Sequence, residues 1–161
     1  MKINRYQFQN KNYQIEDDID FSNVTFDPTH IRGISNTHVT VTGNDYDDYL
    51  VLIIKIKADV IGVCSYTLED IPLKIDISTS LSFSFLEEDE DVIHIDSPIF
   101  ELDQYILDLI VAEVPLTLVK KGAKLPSSGD GYRVLSEDEY NKEQENKKDS
   151  RWSALDDIEL D

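Results

Sequence analysis

The sequence predicts an α+β fold, a predominantly antiparallel β-sheet arranged as a sandwich or partly open barrel, with one main helix and a short C-terminal helix. Three observations lead there. Residues 31–85 are short stretches of β-branched and aromatic side chains. Near residue 101 the apolar spacing changes from alternation to steps of three and four. Beyond residue 118 apolar residues thin out and charge takes over. At 161 residues and 40% hydrophobic content the chain can fill one core and leave a tail. The expected organisation is a β-rich core over 1–118, a flexible loop over 119–135 and an acidic tail over 136–161.

In chain order, residues 1–12 alternate polar and apolar, with no basic start followed by an apolar stretch, so no secretory signal is expected. His38-Val39-Thr40-Val41-Thr42 alternates, which sends the valines inward and the threonines and His38 outward. Gly43-Asn44 and Asp70-Ile71-Pro72 read as turn signals. Between them, Leu50, Leu52, Ile54, Ile56 and Ala58 share one face of a strand and Lys55, Lys57 and Asp59 the other, with Gly62 marking a bulge. Leu73, Ile75, Ile77, Leu81, Phe83 and Phe85 are all odd-numbered, consistent with one long strand. It should pair antiparallel with the preceding strand through a turn near 64–70.

Five consecutive carboxylates over 87–91 repel one another too strongly for a strand and read as a loop. A brief return strand at 92–95 follows. Leu102, Tyr105, Ile106, Leu109, Ile110 and Val114 then form a helical stripe, so a helix is expected over about 101–114, with Glu101 and Asp103 in its first turn and Pro115 ending it. In the tail, Trp152, Leu155 and Ile158 sit three apart, which suits a short amphipathic helix. Trp152 beside Arg151 either docks on the protein's own sheet or anchors a partner.

Composition narrows function. Asp and Glu number 33 against 15 Lys and Arg, a net charge of −18, so cationic partners are favoured over phosphate backbones. The same surplus also serves solubility alone. DNA binding and membrane spans are not expected. Lys120, Lys121 and Lys124 could touch RNA phosphates, but three cations in an acidic chain bind weakly and at low salt. One cysteine, Cys64, excludes an intramolecular disulfide and a multi-cysteine zinc site, and suits a reducing cytoplasm. His30, His38 and His94 form no motif with it, so Cys64 reads as a core residue. Asp45, Asp47 and Asp48 resemble the start of a calcium loop but lack its glycine and closing glutamate, so a solvated hairpin tip is expected. No phosphate-binding glycine pattern occurs, and no cofactor or metal is expected. The enzyme alternative is a small cytosolic hydrolase or metal-dependent enzyme using His94 with Asp96 and Glu101. An acidic decoy of nucleic acid is a third class and requires carboxylates spaced like phosphates along one face.

Three segments carry a resemblance. Val63-Cys64-Ser65-Tyr66-Thr67-Leu68-Glu69, after a long apolar strand, resembles the Cys-x-x-Cys-Leu-Glu hairpin of the bacterial YceD family, named for large ribosomal RNA subunit accumulation. Phe100-Glu101-Leu102 leading to Val114-Pro115-Leu116 is similar to the family's Asp-Leu helix that ends in a Leu-Pro pair, and Asp149-Ser150-Arg151-Trp152-Ser153-Ala154-Leu155 to its closing Asp-Pro-Arg-Trp-x-x-Leu signature. Thr67 replaces the second cysteine and the loop after Pro115 lacks further cysteines, so no metal role carries over, while Ser150 in place of the proline loosens the entry to the terminal helix. The resemblance implies a non-catalytic factor supporting large-subunit ribosomal RNA accumulation. Charge adds the expectation of a basic ribosomal protein or assembly factor as partner, with ribosomal RNA contact weak or indirect. Asp149, Arg151, Trp152, Leu155, Lys120, Lys121 and Lys124 are the expected interaction residues.

Overall fold

The structure is a computed structural model that describes residues 1–9, 13–86 and 92–145. Five strands make one sheet in the order β2-β3-β4-β5-β6: β2 Gln14–Ile19, β3 Ile31–Tyr46, β4 Tyr49–Val63, β5 Asp70–Ser84 and β6 Ile93–His94. Two further strands, β1 Lys2–Asn4 and β7 Ile99–Glu101, pair antiparallel with each other. A 3-10 helix, Arg5–Gln9, follows β1, and helices α1 (Asp103–Glu113) and α2 (Glu137–Glu145) complete the described elements. The predicted α+β class with a mainly antiparallel sheet is borne out, and the sheet does not close into a barrel. Among the described strands only the short β5–β6 pairing is parallel.

Alternation builds the sheet as expected. Val39, Val41, Leu50, Leu52, Ile54 and Ile56 are fully buried on one face, while Lys55 and Lys57 are exposed on the other and Asp59 is half-buried there. The long strand β5 pairs with β4 from Tyr49↔Ser84 to Val63↔Asp70 without a break. α1 covers the apolar face through Ile106 and Ile110, and Leu102 and Val114 at its two ends are buried as well. It starts at Asp103, so Glu101 belongs to β7 and only Asp103 supports the first turn. Val114 leaves helical geometry ahead of Pro115, whose ring disfavours it.

Three local readings are corrected. Gly43-Asn44 is not a turn but part of β3, where a side chain at Gly43 would sit 2.4 Å from the Val51 carbonyl oxygen, so close cross-strand approach requires glycine. The hairpin turns instead at Asp47, in the left-handed region with φ 61°, and Asp48. Asp70-Ile71-Pro72 likewise opens β5, and the preceding turn is at 64–69. Gly62 carries no bulge. A side chain there would meet Leu118 at 2.5 Å, and the bulges lie on β3.

Those bulges explain a pattern that alternation misses. Arg32 is an extra residue between the pairs Ile31↔Gly62 and Gly33↔Ile61, while Asn36 and Thr37 together oppose Ala58. Each extra residue restores the inward parity after a step of three. Ile31, Ile34, Thr37, Val39 and Val41 therefore all point to the core.

The chain divides into two compact units, Met1–Lys120 and Lys121–Asp161. In the second, α2 begins at a reciprocal cap. The Ser136 N–H and hydroxyl donate to Glu139, and the Glu139 N–H donates back to the Ser136 hydroxyl. Arg133 pairs with Glu143 at 2.6 Å. The five-carboxylate loop over 87–91 and the helix expected around Trp152 lie outside the described residues.

Candidate functional site

The hairpin between β4 and β5 is a clasp for the chain that leaves α1. The Cys64 N–H donates to the Glu69 carbonyl at 2.8 Å and the Leu68 N–H to the Cys64 carbonyl at 2.9 Å, with Leu68 left-handed at φ 57°. The Ser65 N–H donates to the Leu118 carbonyl at 2.7 Å, and the Leu118 N–H returns to the Ser65 hydroxyl at 3.3 Å. Lys120 adds its N–H on the Cys64 sulfur and its ammonium on Glu69 at 3.1 Å. Thr67, at the place of the family hairpin's second cysteine, donates its hydroxyl to Glu69 at 3.1 Å. The Lys120 bond, joined by Thr67, holds the Glu69 carboxyl below its usual range.

Cys64 is fully buried. The Lys120 N–H first, then the Thr67 hydroxyl, stabilise its thiolate and bring the pKa from 9.0 to about 7, against the opposing effect of burial. Since the folded value is depressed, the unfolded chain holds the proton over a window where the folded chain has released it. Stability relative to Cys64→Ala should therefore rise with pH from about 7 to about 9 and fall as pH drops through 7. Urea unfolding of both chains across that window checks it, and parallel curves would reject the thiolate.

The expected interaction residues fall in different parts of the chain. Lys120 is occupied by the clasp, Lys121 and Lys124 are exposed in the second unit, and Asp149, Arg151, Trp152 and Leu155 lie outside the described residues. The histidines are separate. His30 contacts the Pro115 carbonyl at 3.3 Å, His38 contacts Asp18 at 2.8 Å, and His94 contacts Asp96 at 2.8 Å and the Leu86 carbonyl at 3.1 Å. Glu101, on β7, sits in register with Lys2 of β1 and pairs with it. Among the described residues no group of three or more His, Cys, Asp and Glu side chains could hold a metal ion.

Asp45 departs from the solvated-tip reading. Its side chain is only 2% exposed and receives two bonds from Arg5, at 2.7 and 3.2 Å. Arg5 also donates to the Asp47 carbonyl and lies 4.0 Å from the Phe85 ring centre.

The outer sheet face intersperses its charges. One cross-strand row runs Asp18, His38, Lys57, Asp76, and the next Glu16, Thr40, Lys55, Ser78. Lys74 opposes Asp59. Arg32 pairs with Asp70 at 3.5 Å and Lys2 with Glu101 at 3.9 Å. On this face, and at these two pairs, the cations thus stand among carboxylates.

A feature that sequence reasoning missed is the outer edge of β5. Among the described residues it is covered only at Phe83 and Ser84, by β6. Beside it, Leu81, Tyr105, Asp108, Leu109 and Ala112 line an apolar groove of about 300 Å³ between β5 and α1. The half-buried positions Leu73, Ile77 and Leu81 were its available signal, because strong alternation hides incomplete cover.

Fold and site together define an acidic α+β sheet protein with a charge-interspersed face and a β5 edge that is largely open among the described residues. The chain belongs to the YceD family: it matches the family described as large ribosomal RNA subunit accumulation protein YceD over residues 52–159, a span that contains all three resembling segments. It is also similar to the uncharacterized protein YlbN of Bacillus subtilis (strain 168), 24% identical over 159 residues that cover 93% of this chain and 90% of YlbN. No solved structure matches. The family description supports a ribosome-related, non-catalytic role at family level. Among the described residues no helix is long and apolar enough to cross a membrane.

Proposed function

We propose that this protein supports accumulation of large-subunit ribosomal RNA by binding a basic ribosomal protein or a basic assembly factor, without catalysing a reaction. The observation that carries the reading is the distribution of charge. A net charge of −18 is combined with lysines and arginines that stand among carboxylates, so the field outside favours a cationic protein over a polynucleotide. Such complementarity speeds encounter and makes the complex sensitive to salt.

Sucrose-gradient profiles of cells lacking the protein test the role. A specific deficit of the large subunit is expected, and an unchanged profile would remove the proposal. Capture from lysate tests the partner class. Basic proteins should be retained at low salt and released at high salt, whereas recovery of naked RNA without protein would count against it.

A further inference from the structure

We infer that the open edge of β5 receives an extended, basic segment of a partner protein as an added strand, with its apolar side chains seated in the groove beside α1. The basic character of the segment rests on the proposed function; the docking geometry does not.

Of the residues Asp70–Ser84 in β5, only the last two are paired on the outer side among the described residues. Among the described residues the remaining edge presents ladder donors and acceptors without a strand partner, ready to pair with an added strand. A strand laid there would lie about 4.8 Å from β5, in line with β6. Its alternate side chains would then point to the face that α1 covers. That is where Leu81, Tyr105, Leu109 and Ala112 line their groove, and where Leu73 and Ile77 remain half-covered. The opposite sheet edge, β2, has only six residues, against fifteen in β5.

Charge selects the occupant. α1 carries no basic residue; its Asp103 already pairs with the Met1 ammonium, while Asp108, in the groove itself, and Glu113 are exposed. A segment alternating apolar and basic residues satisfies the ladder, the groove and these carboxylates together. A second copy of this chain would bring another −18 to the same place. Pro72 and Lys74 also discourage self-pairing over the first part of the edge, leaving 75–82 as the docking stretch.

The probe is a synthetic twelve-residue peptide of alternating lysine and valine, titrated into the full chain and followed by hydrogen exchange. A fully N-methylated twin keeps the side chains and charge but lacks the ladder donors. Exchange should slow over 75–82 and 105–112, and both the twin and a Leu109→Lys chain with unchanged melting temperature should bind about tenfold more weakly. Protection elsewhere, equal binding by the twin, or no binding at about 1 mM peptide would overturn the inference. A second measurement separates it from the functional reading. If Leu109→Lys loses the peptide yet captures large-subunit ribosomal proteins at the original yield, the edge is not their docking site and the functional reading stands. If the peptide protects β5 but cells lacking the protein keep a normal large subunit, the functional reading falls and the docking site stands.

Discussion

Asp45→Ala should lower the unfolding free energy by about 3–5 kcal/mol, because it leaves the largely buried Arg5 guanidinium without its counter-charge. Asp45 lies at the end of β3, Arg5 follows β1, and Arg5 also holds the Asp47 carbonyl and stacks near Phe85. One ion pair therefore ties the β3–β4 hairpin tip to the N-terminal segment and to the end of β5. Replacing both partners by apolar residues, Arg5→Met with Asp45→Leu, should recover most of the loss, since neither charge is then stranded. Urea unfolding of the two chains is the measurement. A loss under about 1 kcal/mol for Asp45→Ala would show the pair to be solvated.

Phe83→Ala is expected to cost a similar amount, about 3–5 kcal/mol, for a different reason. Phe83 is fully buried, its ring centre 4.9 Å from that of Phe100 and 5.6 Å from that of Tyr105. It joins β5 to β7 and α1 at one point, and its removal leaves a cavity that three separate elements would have to move to fill. Leu116→Ala supplies the contrast: Leu116 is 90% exposed, and its truncation should change stability by less than about 0.5 kcal/mol. Equal thermal shifts for the two variants would contradict the packing described.

Much of the sheet was readable because β3, β4 and β5 obey alternation over long stretches. A period of two places Leu50 to Ala58 on one face whatever the neighbours are. α1 was readable from its stripe to within two residues of each end. The short strands β1 and β7 were not. Each has three residues, and such strands exist only because they pair with each other nearly 100 positions apart. The stretch Ile31, Ile34, Thr37 was hidden as well, since two bulges give it a spacing that no regular strand has. Of the candidate site, the hairpin of Cys64 to Glu69 was visible as a motif. Its hold on Lys120 was not, because that bond spans more than 50 residues.

By itself, then, the sequence determined the charge, the long strands, the main helix and the resemblance to a family, because each is a property of neighbouring residues or of their sum. The tertiary structure decided how little of the β5 edge is paired among the described residues, that Asp45 is buried against Arg5, and that the cations of the sheet face stand among acids. Those depend on distances between residues far apart in the chain, which are set only when the sheet has closed over its core.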